Sequence, residues 1–358
     1  MADHTERIQL LRGALEGKRY DGFVTAFTPH LRYLTGFTGS NGLCLITSSD
    51  VFFITDFRYK EQIEKEVSCS RRYVTRGDLV ERAAEANVLR GCKRVGVEKE
   101  HLSVDAWLSL RSNFPSVKFV PTEEIVESFA AVKSAGEIAL IRQAVAITEA
   151  AFRKILRLIR PGISELDLSA EISYLHKKMG AEKDSFEPIV VSGPRGSLPH
   201  GRPSVKKIKF GEMVTIDMGC FKEGYCSDLT RTVAVGKATA EQRKVYRVVL
   251  EAQRIAIETV AEGVPAKALD AAARSHIRRR GFGKYFGHGL GHGIGLQIHE
   301  FPRVSTRSLH TLRAGNVITV EPGIYLPGKF GIRIEDDVVV QPFGGDILTE
   351  TPRDLIVL

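Results

Sequence analysis

The first third of the chain alternates short runs of apolar and β-branched residues with stretches of helical spacing. Gly22 to Thr25, Gly42 to Thr47 and Val51 to Thr55 read as strands, and Glu6 to Leu15 and Asp56 to Val67 as helices. Further strands at Arg72 to Val74, Arg94 to Val97 and Val117 to Val120 are separated by helical stretches at Leu79 to Leu89 and Val104 to Arg111. This order predicts an α/β unit, a mixed sheet covered by helices. The Gly-rich TGFTGSNG at 35–42 precedes a strand and lacks the lysine of a phosphate loop, so it reads as turn punctuation.

A boundary is expected at Val132 to Gly136, giving domains at 1–131 and 132–358. Beyond it, Ile141, Ala144, Val145, Thr148, Phe152, Ile155 and Leu156 repeat at helical spacing within Glu137 to Ile159, and Pro161-Gly162 stops the helix. Ser164 with Asp167 resembles a capping box opening a helix that runs to Gly180. Strands follow at Ile189 to Val191, Met213 to Asp217 and Asp228 to Val235, the last two joined across Lys222-Glu223-Gly224 as a hairpin. Helices at about 240–261 and 266–280, then strands at Asn316 to Val320 and Ile332 to Val340, complete an α+β domain.

Composition adds exclusions. The 358 residues are 43% hydrophobic and 26% charged, ordinary for a globular protein of two domains. No apolar run approaches the roughly 20 residues that span a bilayer, and the first 20 residues mix acids and bases where a signal peptide needs an apolar core. A cytoplasmic protein without a membrane partner is expected. Cysteines 44, 69, 92, 220 and 226 form no C-x-x-C pair, which argues against a disulfide framework and a zinc ribbon. The net charge of +8 is spread along the chain. Its densest runs, Arg278 to Arg280 and Lys206-Lys207, read as a helix-end partner and a solvated surface, so no nucleic-acid partner is expected.

Chemistry concentrates in HGLGHGIGLQIHE, residues 288–300. Glycines at 287, 289, 291, 293 and 295 disfavour regular structure and imply a backbone pressed close to a neighbour, with His288, His292 and His299 facing a shared space. Asp217 in VTIDMG, Asp228 in CSDLTRT, Glu321 in TVEPG and Glu335 in GIRIEDD each sit in or at the end of an apolar strand. A carboxylate so placed costs several kcal/mol unless it is paired or bound to metal. Four carboxylates with the His292 imidazole form a hard, oxygen-rich set. It suits two divalent ions about 3.5 to 4 Å apart better than one.

PHGRPS at 199–204, IDMGCFKEGYCSDLTRT at 216–232, the histidine segment, VEPGIY at 320–325 and GIRIEDD at 331–337 together resemble the pita-bread metallopeptidases. That family includes prolidase, aminopeptidase P, methionine aminopeptidase and the metal-free creatinase. The likeness spans about 130–358, and YLTGFTGSNG with ITDFRY is similar to the smaller domain of the Xaa-Pro-cleaving members. The resemblance implies a pita-bread catalytic domain. Asp217 would chelate one ion, Asp228 and Glu335 would bridge two, and His292 and Glu321 would complete the second. It further implies an activated water as nucleophile, Glu321 as proton carrier, and His200 and His299 as pocket groups handling the carbonyl and the oxyanion. His288 would shape the proline subsite, and Tyr325 and Arg333 would orient ligand carboxylates.

The expected activity is Xaa-Pro dipeptide hydrolysis on small proline-containing peptides, with Mn2+ as the ion and Co2+, Zn2+ or Fe2+ as alternatives. Arg303 in HEFPRVS, four residues after His299, would by resemblance to prolidases read a free carboxylate, the other reading being a structural salt bridge. The alternative is an Xaa-Pro aminopeptidase acting on longer peptides, with a metal-free hydrolase or a non-catalytic binding module behind it. A homodimer is expected from the relatives. Cys226 would share a strand face with Asp228 if the strand is regular, as a packed thiol.

Overall fold

A computed structural model describes residues 4–358. The chain divides into two compact units, Met1–Ala130 and Ala131–Leu358. The first contains, in order, α1 (His4–Gly17), β1 (Gly22–Thr25), α2 (Thr28–Thr35), β2 (Leu43–Thr47), β3 (Val51–Asp56), α3 (Lys60–Glu66), β4 (Arg71–Thr75), α4 (Leu79–Glu85), β5 (Arg94–Glu98), α5 (Val104–Asn113), β6 (Lys118–Thr122) and α6 (Ile125–Ala130). The strands form one sheet in the order β4-β3-β2-β1-β5-β6. The tight link from β2 to β3 makes that pair antiparallel, while helical crossovers make β3–β4 and β5–β6 parallel. This is the mixed sheet expected. Alternate residues Leu43, Leu45, Phe52 and Ile54 pack with Val80 of α4 and Leu110 of α5 on one face.

Two helices here were not expected from the sequence. In α2, TPHLRYLT puts a proline in the first turn and ends at Gly36, whose φ of 82° is left-handed. The start of the helix expected from Asp56 is instead a 3-10 turn at Phe57–Tyr59, capped by the Asp56 side chain, and α6 follows β6 directly.

The second unit opens with α7 (Ala135–Ile155) and α8 (Glu165–Lys178). Both start at capping boxes, Ser134 with Glu137 and Ser164 with Asp167. There follow β7 (Lys183–Asp184), β8 (Ile189–Ser192), β9 (Met213–Met218), β10 (Cys220–Lys222), β11 (Tyr225–Cys226), β12 (Leu229–Ala234), α9 (Ala240–Thr259), α10 (Ala266–Arg279), β13 (Gly291–Gly293), β14 (Glu300–Val304), β15 (Val317–Val320), β16 (Gly323–Leu326), β17 (Phe330–Arg333), β18 (Asp336–Gln341) and β19 (Gly344–Ile347). Antiparallel sheets run β12-β9-β8 and β14-β13-β15-β18-β19, with a β16–β17 ribbon and a small β11-β10-β7 sheet.

Period-two alternation decides which face carries chemistry. Val214, Ile216 and Met218 of β9 and Val233 of β12 pack with Phe152, Ile155 and Ile172 of α7 and α8. The intervening Thr215, Asp217, Thr230 and Thr232 therefore turn to the opposite face. In the same way Ile318, Val320, Ile332 and Val338 pack with Val249 and Ala273 of α9 and α10, leaving Thr319 and Arg333 on the other side.

Three strand expectations are corrected. The expected strand at Ile332 to Val340 is two, β17 in the ribbon and β18 in the large sheet, and Glu335 occupies the crossing between them. The expected 213–217/228–235 hairpin does pair, Asp217 opposite Thr230, but its tip splits into the separate β10–β11 hairpin. Cys226 ends β11 before β12 begins, so no regular strand links it to Asp228, and its thiol meets Gln297 O at 3.3 Å. Finally, the 3-10 turn at Gly193–Ser197 and β17 approach each other unusually closely. A Cβ on Gly331 would lie 1.9 Å from Gly196 O, so neither strand nor turn could approach so nearly with a side chain there.

Candidate functional site

The strand geometry brings three carboxylates to one place. Asp217 ends the polar face of β9, Asp228 stands just before β12, and Glu335 fills the β17–β18 crossing. Each offers an oxygen within 4.8 Å of the other two, and they are 8%, 5% and 1% exposed, so water screens none of them. Asp217 Oδ2 accepts from Arg333 Nη2 at 2.5 Å and Glu335 Oε2 from Thr230 Oγ1 at 2.6 Å. Asp217 Oδ1 and Asp228 Oδ1 are buried with no hydrogen-bond partner. Burial, followed by the charges of Glu335 and Asp217, pushes Asp228 well above the usual carboxylate range. Burial with Glu321 and Asp217 does the same to Glu335. Buried, like-charged and partly unsatisfied oxygens are the donor set a hard divalent cation requires.

Glycine spacing delivers the imidazole. A Cβ on Gly291 would fall 2.1 Å from Thr319 O and one on Gly293 2.1 Å from Phe301 O, so β13 is wedged between β15 and β14 with His292 as its single side chain. His292 Nδ1 donates to Gly293 O at 3.1 Å, which leaves the Nε2 lone pair free. That nitrogen is 3.5 Å from Glu321 Oε1 and 3.8 Å from Asp228 Oδ2. Burial and nearby His299 hold His292 neutral, with its pKa lowered to about 3. Glu321 follows β15; its amide donates to Leu290 O at 2.9 Å, and burial pushes its carboxyl up to about 8. His292 and Glu321 thus border the three-carboxylate cluster.

Around this core, Arg333 is 3% exposed and uses its whole fork. Besides Asp217 it donates to Thr230 Oγ1 at 3.0 Å, Pro199 O at 3.1 Å and Tyr325 OH at 2.9 Å. His288 Nδ1 donates to Gly289 O at 2.7 Å, so Nε2 accepts from Tyr325 OH at 2.8 Å. Burial and the Arg333 charge lower His288 to about 4. His299 is exposed, with its ring 4.4 Å from that of His292. His200 is exposed too, and its charge opposes protonation of both His288 and His299. Arg303 on β14 is exposed, makes no hydrogen bond or ion pair among the described residues, and also depresses His299.

Two supporting residues escaped the sequence reading. Thr230 bridges Glu335 and Arg333, and its position two residues after Asp228 in CSDLTRT could have flagged it. Asp337, two residues past Glu335, accepts from Asp228 N at 3.0 Å and so holds the break ahead of β12.

Residues 139–342 match metallopeptidase family M24, and residues 7–132 match the creatinase/prolidase N-terminal domain. An Xaa-Pro dipeptidase of Pyrococcus horikoshii is 36% identical over 98% of this chain and 99% of its own. The structure of an Xaa-Pro dipeptidase from Bacillus anthracis superposes with a TM-score of 0.97 at 39% identity, covering 99% of this chain and 100% of that one. That of an X-Pro aminopeptidase from Thermotoga maritima gives 0.89 at 40% identity, covering 96% and 100%.

Proposed function

The chain belongs to metallopeptidase family M24, and from that premise we propose that it is an Xaa-Pro dipeptidase working with two divalent ions, manganese first among them. It is a hydrolase of a family that uses divalent metal. Asp217, Asp228, His292, Glu321 and Glu335 would hold the ions, Asp228 and Glu335 being shared. The buried, partnerless oxygens of Asp217 and Asp228 support this assignment. When bound, such ions polarise a carbonyl and make water acidic near neutral pH.

The chain's own groups divide the remaining work. Glu321, at the edge of the cluster beside His292, would take a proton from the attacking water and return it to the proline nitrogen. His299, beside His292, donates a hydrogen bond to the carbonyl oxygen as it gains charge, and His200 holds that carbonyl from the opposite loop. Arg333 fixes Asp217 and, through Tyr325, the Nε2 side of His288, which walls the proline ring.

One observation supports the dipeptide half of the reading: the Arg303 side chain has no partner among the described residues and its charge is felt at His299, so it would be free to fork the carboxylate of a C-terminal proline. The likeness to an X-Pro aminopeptidase favours a second reading, in which longer peptides are cut and Arg303 has no substrate role. Hydrolysis of Ala-Pro and Ala-Pro-Ala by manganese-loaded protein, with a chelated control, decides between them. Cleavage of Ala-Pro supports the dipeptidase; cleavage confined to Ala-Pro-Ala transfers the assignment to an aminopeptidase. The enzyme is further proposed to act as a homodimer, which a monomer-only elution at several concentrations in gel filtration would overturn.

A further inference from the structure

An ion pair on α10 touches the histidine segment without belonging to the site. Asp270 is 0% exposed and forms a bidentate pair with Arg274 one turn later, Nε to Oδ2 at 2.7 Å and Nη2 to Oδ1 at 2.8 Å. Isolated on a helix, such an i,i+4 pair contributes little. Here both partners make further hydrogen bonds, all to the backbone that leads into β13. Arg274 Nη1 donates to Phe286 O at 3.0 Å and Nη2 to His288 O at 2.7 Å, while Asp270 Oδ1 accepts from Leu290 N at 3.0 Å. The guanidinium also lies 4.1 Å from the centroid of the Phe286 ring.

The contacted residues are 286, 288 and 290, every second position. Backbone groups at alternate positions turned to one side are those a neighbouring strand would otherwise satisfy, and here, where the chain bends at His288 and Leu290 before β13 begins, the α10 pair meets them instead. We propose that Asp270 and Arg274 are positioning residues that stand in for such a strand, fixing the register of the histidine segment from outside. The charges suit the role: the cation meets the carbonyls and the carboxylate meets the amide. A single ammonium could not reproduce the fork.

What the register controls is specific. With Phe286 O and His288 O pinned, His288 presents Nε2 to Tyr325 OH, and with Leu290 N pinned, Leu290 O receives the Glu321 amide. The brace thus places a proline-subsite wall and a metal-ligating proton carrier together. Its catalytic consequence rests on the function proposed above, whereas the bracing itself rests on geometry alone.

The test uses the full chain. Arg274→Lys keeps the charge opposite Asp270 but removes the fork, and Arg274→Ala can be refilled with methylguanidinium. Proton–nitrogen spectra of metal-free, histidine-labelled protein report the Nδ1–H tautomer of His288, identified by its loss in His288→Gln. In Arg274→Lys the His288 signature is expected to broaden or split while that of His292 persists. In the manganese form kcat/KM is expected to fall about tenfold or more, chiefly through KM. Methylguanidinium should restore part of both signals in Arg274→Ala.

A wild-type His288 signature with wild-type KM and kcat in Arg274→Lys would reduce the pair to charge neutralisation of a buried acid and overturn the proposal. Recovery of thermal stability but not of the His288 signature by methylguanidinium would do the same. If the unaltered enzyme cleaves no Xaa-Pro peptide, the function proposed above fails while the spectral result on the brace still stands.

Discussion

Each unit buries a carboxylate that accepts a threonine hydroxyl at 2.6 Å, yet the surroundings are opposite. In the N-terminal unit Glu98 takes Thr25 Oγ1 on one oxygen and His30 Nδ1 on the other, with His30 2% and Glu98 6% exposed. Both oxygens of Glu98 are satisfied. In the C-terminal unit Glu335 takes Thr230 Oγ1, but its neighbours are further carboxylates, and two oxygens nearby have no partner. The same interior that completes one acid within the fold leaves the other group to be completed by something the chain does not supply. Burial of an acid alone is therefore no mark of a site; burial without local compensation is.

The sharpest way to break this contrast is to remove an acid from each unit. Asp228→Ala or Glu335→Ala should lower kcat/KM on Ala-Pro by on the order of four decades and reduce bound metal together. Elemental analysis showing two metals retained in either variant would count against the shared-ligand assignment. Glu98→Ala should instead cost roughly 3–5 kcal/mol of stability in denaturant titration, because it strands His30, with bound metal unchanged. Loss of metal in that variant would erase the distinction.

Acidity separates the cluster next. The carboxyls of Asp228, Glu335 and Glu321 are raised in the metal-free fold, Glu321 to about 8 from 4.5. Between those two values the folded protein holds protons that the unfolded chain has released, so stability falls as pH rises. In the chelated protein the loss should amount to about a few kcal/mol from pH 5 to 8, read from melting curves. Divalent affinity should rise over the same interval, as ion and proton compete. A chelated melting temperature that climbs from pH 5 to 8 would contradict the proton-held state.

The matched hydroxyls give the smallest and cleanest comparison. Thr25→Val should cost about 1.5–3 kcal/mol of stability and leave metal binding alone. Thr230→Val should weaken divalent binding about tenfold, measured by competition with a chelating dye. Equal effects on metal in both variants would mean that the hydroxyl at Glu335 has no bearing on the ion.

Much of the site was legible because its chemistry conflicts with its surroundings. Asp217 in VTIDMG and Glu335 in GIRIEDD interrupt apolar runs, and the glycines about His292 announce the close approach later seen against Thr319 and Phe301. What stayed hidden depends on tertiary partners. The break at Glu335 could not be inferred from GIRIEDDVVV, where β-branched residues run on both sides and only pairing with different strands divides β17 from β18. Asp270 and Arg274 look like an ordinary helical pair until the backbone at 286–290 arrives. The helix α2, just ahead of the glycine-rich 35–42 stretch, is hidden because its eight residues are too few for periodicity to stand out.

The contact between Gly196 and Gly331 bears on how this sequence can drift. The turn before His200 rests on the strand that ends in Arg333, and a methyl group at 331 would sit 1.9 Å from the carbonyl oxygen at 196. Exposed positions of α7 can accumulate substitutions singly, but here one added carbon must move a whole loop. Any side chain at 331 would force the His200 loop to move with it, so the seating of that loop is set by an absence of atoms.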